Sequence, residues 1–201
     1  MLFLATKNRG KIREYALMLE SYHIPFQTIG DFSSVPEAEE EGTWFDEIAE
    51  KKALHYVRIL KQPVLAEDSG LLIPELGGFP GILSARLAPS SSEANKIVLE
   101  RLKHKKGAQR YALYYCAIVL YFPDGRKFFS SATCEGSILN GEMSGEFGFG
   151  YDPIFYYPPF GCAFSLVPPV KKNCVSHRGK AFARLFSRVL QEVPHFIRTS
   201  E

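Results

Sequence analysis

The stretch from Tyr111 to Phe122 is almost continuously apolar and rich in the aromatic and β-branched residues that favour strands. It is too short to cross a membrane as a helix, yet long enough to traverse a whole sheet. Pro123-Asp124-Gly125 then turns the chain back into Lys127 to Thr133, which predicts a long hairpin. A strand apolar along its full length belongs in a sheet covered on both faces. The remaining chain must therefore provide further strands and helices to cover them.

The flanking segments alternate accordingly. Leu2 to Ala5 reads as a strand, and Ile12, Tyr15, Ala16 and Leu19 recur at helical spacing until Ser21. Pro25 to Ile29 is a second strand, and the acidic, proline-containing Ser33 to Gly42 is a loop. A helix from Phe45 to Leu60 turns Ile48, Ala49, Leu54, Val57 and Leu60 inward and ends before Pro63. Val64 to Ala66 and Leu71 to Ile73 read as two short strands. Ser91 or Ser92 opens a helix bearing Ile97, Val98 and Leu102. The Pro-rich segment Tyr157 to Pro169 reads as a surface excursion. Phe182, Leu185, Phe186, Val189, Leu190 and Val193 form the core-facing stripe of a last helix. The order predicts an α/β protein on a long mixed sheet, one domain over residues 1–201.

Composition narrows the function classes. The chain of 201 residues, 46% hydrophobic and 23% charged, has the make-up of a soluble globular protein with an ample core. A formal charge of +2 with scattered basic residues argues against a nucleic-acid face, and Lys103 to Lys106 reads as a solvated loop. Neither a signal peptide nor a membrane span is expected, which places the protein in the cytoplasm. Cys116, Cys134, Cys162 and Cys174 lack metal-ligand spacing and are expected to be buried free thiols.

Four clusters carry chemistry. In the first, the strand Leu2 to Ala5 empties into Thr6-Lys7-Asn8-Arg9-Gly10-Lys11. Thr6 and Asn8 offer side-chain donors, Gly10 permits close backbone approach, and Lys11 brings a mobile charge to a helix start, an arrangement suited to phosphate. It is not a Walker loop, because the paired-glycine spacing is missing and Ile12 stands where a magnesium-binding hydroxyl belongs. A ligand-free strand, turn and helix fits the same residues.

The second cluster is Glu67-Asp68-Ser69-Gly70, at the end of a short apolar strand. Two adjacent carboxylates repel unless a cation offsets them, and their hard oxygens suit Mg²⁺; an acidic turn is the plainer reading. Phe149-Gly150-Tyr151-Asp152 is the third: Phe149 can stack on a flat base with Asp152 or backbone reading its edge, or the segment can be core strand and turn. The fourth, Ser176-His177-Arg178-Gly179-Lys180, is either a capped basic helix start or a row of donors for a carbonyl-bearing base. Lys52 on its helix, and Glu40 in the acidic run Glu37 to Glu41, have ordinary explanations as a salt-bridging lysine and a solvated loop residue.

Together these segments resemble the inosine triphosphate pyrophosphatase family, which hydrolyses nonstandard purine nucleoside triphosphates. The motifs run in family order as Ala5 to Lys11, Phe45 to Ala53, Ala66 to Gly70, Leu76 to Gly81, Ser84-Ala85-Arg86, Phe149 to Phe155 and Ser176 to Ala181. The resemblance implies an elongated central mixed sheet flanked by helices, two lobes around a nucleotide-binding cleft, Mg²⁺ dependence and a homodimer. It implies that Thr6, Lys7, Asn8, Arg9, Gly10 and Lys11 hold the triphosphate and that Lys52 neutralises phosphate charge. Glu40, Asp68 and Glu67 would handle the metal, with Asp68 as proton acceptor. Ser69 would contact the nucleotide, while Phe149, Gly150, Tyr151, Asp152, Lys172, His177 and Arg178 would surround the base.

Ile48 stands where the family usually has Asn, Phe147 where Gly is common, and Pro168-Pro169-Val170 where the stretch is typically acidic. The alternatives are a Maf-type pyrophosphatase acting on pyrimidine or modified nucleotides, a non-catalytic nucleotide-binding module, and a nucleic-acid binder. The third and fourth clusters argue against the first, retention of Asp68, Lys11 and Lys52 against the second, and the weak net charge against the last.

Overall fold

Leu2–Leu4 (β1) is buried at every residue and pairs in parallel with Phe26–Thr28 (β2) on one side and Val64–Ile73 (β3) on the other. Parallel neighbours require crossovers, supplied by the helices Arg9–Glu20 (α1) and Phe45–Leu60 (α2). The computed structural model describes residues 1–32, 35–39 and 41–196. Beyond β3 come Phe79–Pro80 (β4), Ser91–Arg101 (α3), Tyr111–Tyr121 (β5), Lys127–Ile138 (β6), Phe155–Tyr157 (β7), Cys162–Ala163 (β8), Pro169–Asn173 (α4) and His177–Glu192 (α5). Among the described residues the strands form one mixed sheet in the order β2-β1-β3-β5-β6-β7-β8, with β4 antiparallel to β3 off this path.

The chain divides into two compact units, Met1–Asp68 with Cys116–Ala132 and the chain from Arg178, and Ser69–Tyr115 with Thr133–His177. Strands β3, β5 and β6 each contribute residues to both. In the first unit, Leu2, Leu4, Leu65, Cys116, Ile118 and Leu120 of the sheet pack with Tyr15, Met18 and Leu19 of α1 and with Phe182, Leu185, Phe186 and Val189 of α5. The intervening strand residues Val64, Ala66, Ala117 and Val119 are fully buried as well. That two-sided burial explains the unbroken apolar run of β5. In the second unit, Leu71, Ile73, Ala94, Val98, Ala112, Tyr114, Ile154, Phe155 and Phe164 share a core.

Several elements differ from their sequence reading. The two short strands around Glu67 are one continuous strand, β3, because Glu67, Asp68, Ser69 and Gly70 continue its extended backbone and do not turn. The returning arm of the hairpin runs to Ile138, five residues past Thr133, with alternate residues buried from Phe128 to Ile138. The Pro-rich segment is not a surface excursion: Ala163, Phe164 and Ser165 are buried, and β8 pairs antiparallel with β7. The caps and stripes shift too. Ser90 caps α3 through Glu93 N–H, and on α1 the buried residues are Gly10, Glu14, Tyr15, Met18 and Leu19, with Ile12 and Ala16 half-buried. Cys116 and Cys134 are buried free thiols as expected, whereas Cys174 is exposed.

Candidate active site

The end of β1 is organised by capping. Asn8 accepts hydrogen bonds on its side-chain oxygen from Gly10 N–H at 2.9 Å and Lys11 N–H at 3.1 Å, and Thr6 Oγ1 accepts from Asn8 N–H at 3.1 Å. These bonds use the side-chain oxygens, so the Asn8 amide N–H groups and the Thr6 hydroxyl hydrogen keep their donor capacity. Arg9 opens α1 exposed and Gly10 is buried beneath it. Lys7 is exposed and ion-paired with Glu37.

Lys11 lies in the first turn of α1 with only 13% of its side chain exposed, its Nζ 2.7 Å from Glu67 Oε1. Glu67, fully buried on β3, is also held by Arg178, which donates from Nε at 2.7 Å and Nη2 at 3.1 Å. Tyr15 donates its hydroxyl at 2.7 Å and Cys116 its thiol at 3.3 Å to the same carboxylate. Arg178 Nη1 donates to Glu14, another buried acid on α1. Burial alone would raise the Glu67 carboxyl, but the Arg178 and Lys11 charges overcome it and hold the group well below the usual carboxylate range. Burial likewise works against the Lys11 ammonium, and Glu67, helped by Asp68, reverses that and raises it. Tyr15 and Cys116 are both pushed well up by burial and by the neighbouring carboxylate, so they remain neutral donors.

Lys52 is not an exposed salt-bridging lysine. It lies on the buried stripe of α2 with Ile48, Ala49, Ala53 and Tyr56, and its Nζ donates to the backbone oxygen of Glu67 at 3.3 Å. Two lysines from different helices thus meet at one strand residue. Asp68, next along β3, is half-buried and acts electrostatically on Lys11.

Successive strand side chains alternate between faces, so Glu67 and Asp68 do not form the adjacent carboxylate pair expected of a turn. Glu67, expected beside Asp68 in handling a metal, is taken up by Arg178, Lys11, Tyr15 and Cys116, which makes it an anchor for cations. Glu40, the third carboxylate of that expectation, lies outside the described residues. Among the described residues no group of three His, Cys, Asp or Glu side chains could hold a metal ion. Asp68 nevertheless suits Mg²⁺, which is commonly bound by one or two carboxylates together with substrate phosphates.

The second unit holds the other residues. Asp152 is buried, and its Oδ2 accepts from Phe149 N–H at 2.8 Å and from Lys172 Nζ at 2.5 Å. Lys172 also sits 5.0 Å from the centroid of the half-buried Phe149 ring. Gly148 makes this turn possible: its φ is +81°, and a Cβ there would lie 2.8 Å from the Asp152 side chain. Phe147, which replaces a common glycine, donates its N–H to Ser165 O at 3.0 Å, and Pro168-Pro169 open α4, on which Lys172 is buried. Neither departure displaces the Asp152–Lys172 pair. Tyr151 donates its hydroxyl to Ser84 O at 2.8 Å, and burial pushes its pKa up to about 12. Gly150 has a φ of +60°, Ser69 is half-buried on β3, and His177 is buried with its ring stacked on Tyr114.

The expected donor row 176–178 leads into the first turn of α5. His177 belongs to the second unit, whereas the Arg178 guanidinium is buried on Glu67 and Glu14 in the first, so its nitrogens are already engaged. Arg178, expected as a donor at the base, thus makes three of its donations within this network. Glu14, Tyr15, Cys116 and Tyr114 were not anticipated. Glu14 had a signal, an acid three residues after Lys11 on the same helix face; Tyr114 and Cys116 had none beyond being apolar-run residues.

A mixed α/β sheet whose first strand leads through an Asn-capped helix start to a lysine, with a second buried lysine and a carboxylate on the neighbouring strand, is an α/β architecture whose chemistry suits phosphate. The chain belongs to the Ham1 family, whose family model matches residues 2–188. A Bacillus anthracis protein named dITP/XTP pyrophosphatase is 41% identical over 191 residues, covering 92% of this chain and 94% of the relative. A Desulfotalea psychrophila protein of the same name is 39% identical over 205 residues, covering 100% of this chain and 88% of the relative. A solved HAM1 protein from Coxiella burnetii superposes with a TM-score of 0.82 at 36% identity, covering 96% of this chain and 98% of that one. The expected family and the mixed α/β fold are thereby borne out.

Proposed function

We propose that the protein is a pyrophosphatase for deaminated purine nucleoside triphosphates, among them dITP, ITP and XTP, releasing the nucleoside monophosphate and pyrophosphate. The observation that carries this reading is the convergence of Lys11 and Lys52 on Glu67 beside Asp68. Two buried ammonium groups next to a half-exposed carboxylate suit a polyanion and a water to be activated. The relatives named dITP/XTP pyrophosphatase support the same substrate class.

In this mechanism Thr6, Asn8 and the N-terminus of α1 receive phosphate oxygens through their remaining donors. Lys11 and Lys52 offset charge that builds on the departing pyrophosphate, the electrostatic positioning on which phosphoryl transfer relies. Asp68 orients a water toward the α-phosphorus and accepts its proton. Mg²⁺, held by Asp68 and substrate phosphates, would neutralise further phosphate charge when bound. Glu67 keeps Lys11 and Arg178 in place and does not react. Phe149 offers a stacking face for the base, with Asp152, Lys172 and His177 as its polar surroundings. A homodimer working on the cytoplasmic nucleotide pool completes the proposal.

The test is pyrophosphate release from dITP, XTP, dATP, dGTP and dCTP, with and without Mg²⁺. Release from dITP and XTP that requires Mg²⁺ supports the reading, and comparable release from dCTP contradicts it.

A further inference from the structure

Tyr114 is a core tyrosine of β5, and its ring packs on Phe155 at 4.5 Å and lies parallel to Phe164 at 6.4 Å. Phenylalanine would serve that packing equally. Its hydroxyl, however, donates to Asp152 Oδ1 at 3.3 Å, on the oxygen opposite the one that holds Phe149 N–H and Lys172. Its ring also lies nearly parallel to the imidazole of His177, with centroids 4.6 Å apart and planes 10° apart. One buried side chain therefore touches two of the residues to which the base is assigned here, Asp152 and His177, and through Asp152 reaches Lys172 and the Phe149 backbone.

We propose that Tyr114 is a positioning residue for base specificity, its hydroxyl bracing the other carboxylate oxygen of the Asp152–Lys172 pair and its ring setting the plane of His177. The inference rests on the nucleotide reading above. A buried carboxylate bonded on both oxygens is restricted about its last torsion, which favours one orientation of Lys172 and the Phe149 turn toward the purine edge. The parallel ring beneath His177 restricts the imidazole in the same way. An O–H···O separation of 3.3 Å is long, so the hydroxyl contributes as one weak member of a network and not as its anchor.

The experiment compares wild type, Tyr114→Phe and Tyr114→Leu by steady-state kinetics on dITP, XTP and dGTP, with thermal unfolding measured in parallel. Loss of the hydroxyl in Tyr114→Phe should raise KM for dITP by about 3- to 10-fold, change kcat less, and narrow the preference for dITP over dGTP. Tyr114→Leu, which also removes the ring under His177, should shift KM further. Wild-type KM and selectivity in Tyr114→Phe, with or without a lowered melting temperature, would show that the residue serves the fold alone and overturn the proposal. So would a loss confined to kcat. Wild-type protein that releases pyrophosphate from none of these substrates would overturn the nucleotide reading itself, an outcome distinct from an active enzyme indifferent to the hydroxyl.

Discussion

Arg178 grips Glu67 with two nitrogens, Nε at 2.7 Å and Nη2 at 3.1 Å, across 111 positions of sequence. Both side chains are almost fully buried, and Glu14 occupies the remaining nitrogen of the fork. Removing Arg178 takes the shared cation from two buried carboxylates and leaves Glu67 to Lys11. Arg178→Ala is therefore expected to lower stability by about 3–5 kcal/mol, measured by urea unfolding. A loss under about 1 kcal/mol, the scale of an exposed ion pair, would show that the cluster is not a buried network.

The same network sets an acid limit. Glu67 is depressed below its ordinary value of 4.5, so its contribution is fully present above that pH and is lost as pH falls through the lower folded-state value. Stability should decline as pH drops below about 4.5, and Glu67→Gln, already destabilised at neutral pH, should show a shallower decline there. Parallel pH–stability curves for the variant and wild type would remove Glu67 from this role.

Asp68→Asn keeps the size of the side chain but removes its capacity to take a proton. Turnover should fall by roughly two to four orders of magnitude while nucleotide binding persists. Near-normal turnover in the folded variant would exclude Asp68 as the base.

Lys11→Ala and Lys52→Ala should impair hydrolysis of dITP far more than binding of inosine, because both lysines are assigned to phosphate charge. Equal effects on the two ligands would move them away from the triphosphate. Lys52→Ala leaves Glu67 O without its 3.3 Å donor, so its folding should be checked by circular dichroism before kinetics are read.

Much of this arrangement is legible in the chain. Helix α2 spans Phe45–Leu60 as its apolar spacing indicates, and the strand-to-helix passage at Thr6 to Lys11 forms where its polar residues stand. Local periodicity carries such elements. It fails at Glu67 to Gly70, where polar residues with turn propensity are drawn into β3 by sheet pairing. It fails also for Lys52, whose burial depends on meeting a backbone oxygen on another element. The Arg178–Glu67–Glu14 pairing joins three distant segments, and no spacing rule reports contacts of that range. His177 and Arg178, adjacent in sequence, start α5 yet serve different units.

The central claim is that the enzyme acts on purine triphosphates carrying an oxygen at C6. Adenine presents a donor amine there, and a site of fixed donors is left with an unpaired group when it meets one. The most direct measurement is kcat/KM for pyrophosphate release from dITP, XTP and dATP at saturating Mg²⁺. The account predicts dITP and XTP favoured over dATP by about 100-fold or more; equal specificity constants for dITP and dATP would contradict it.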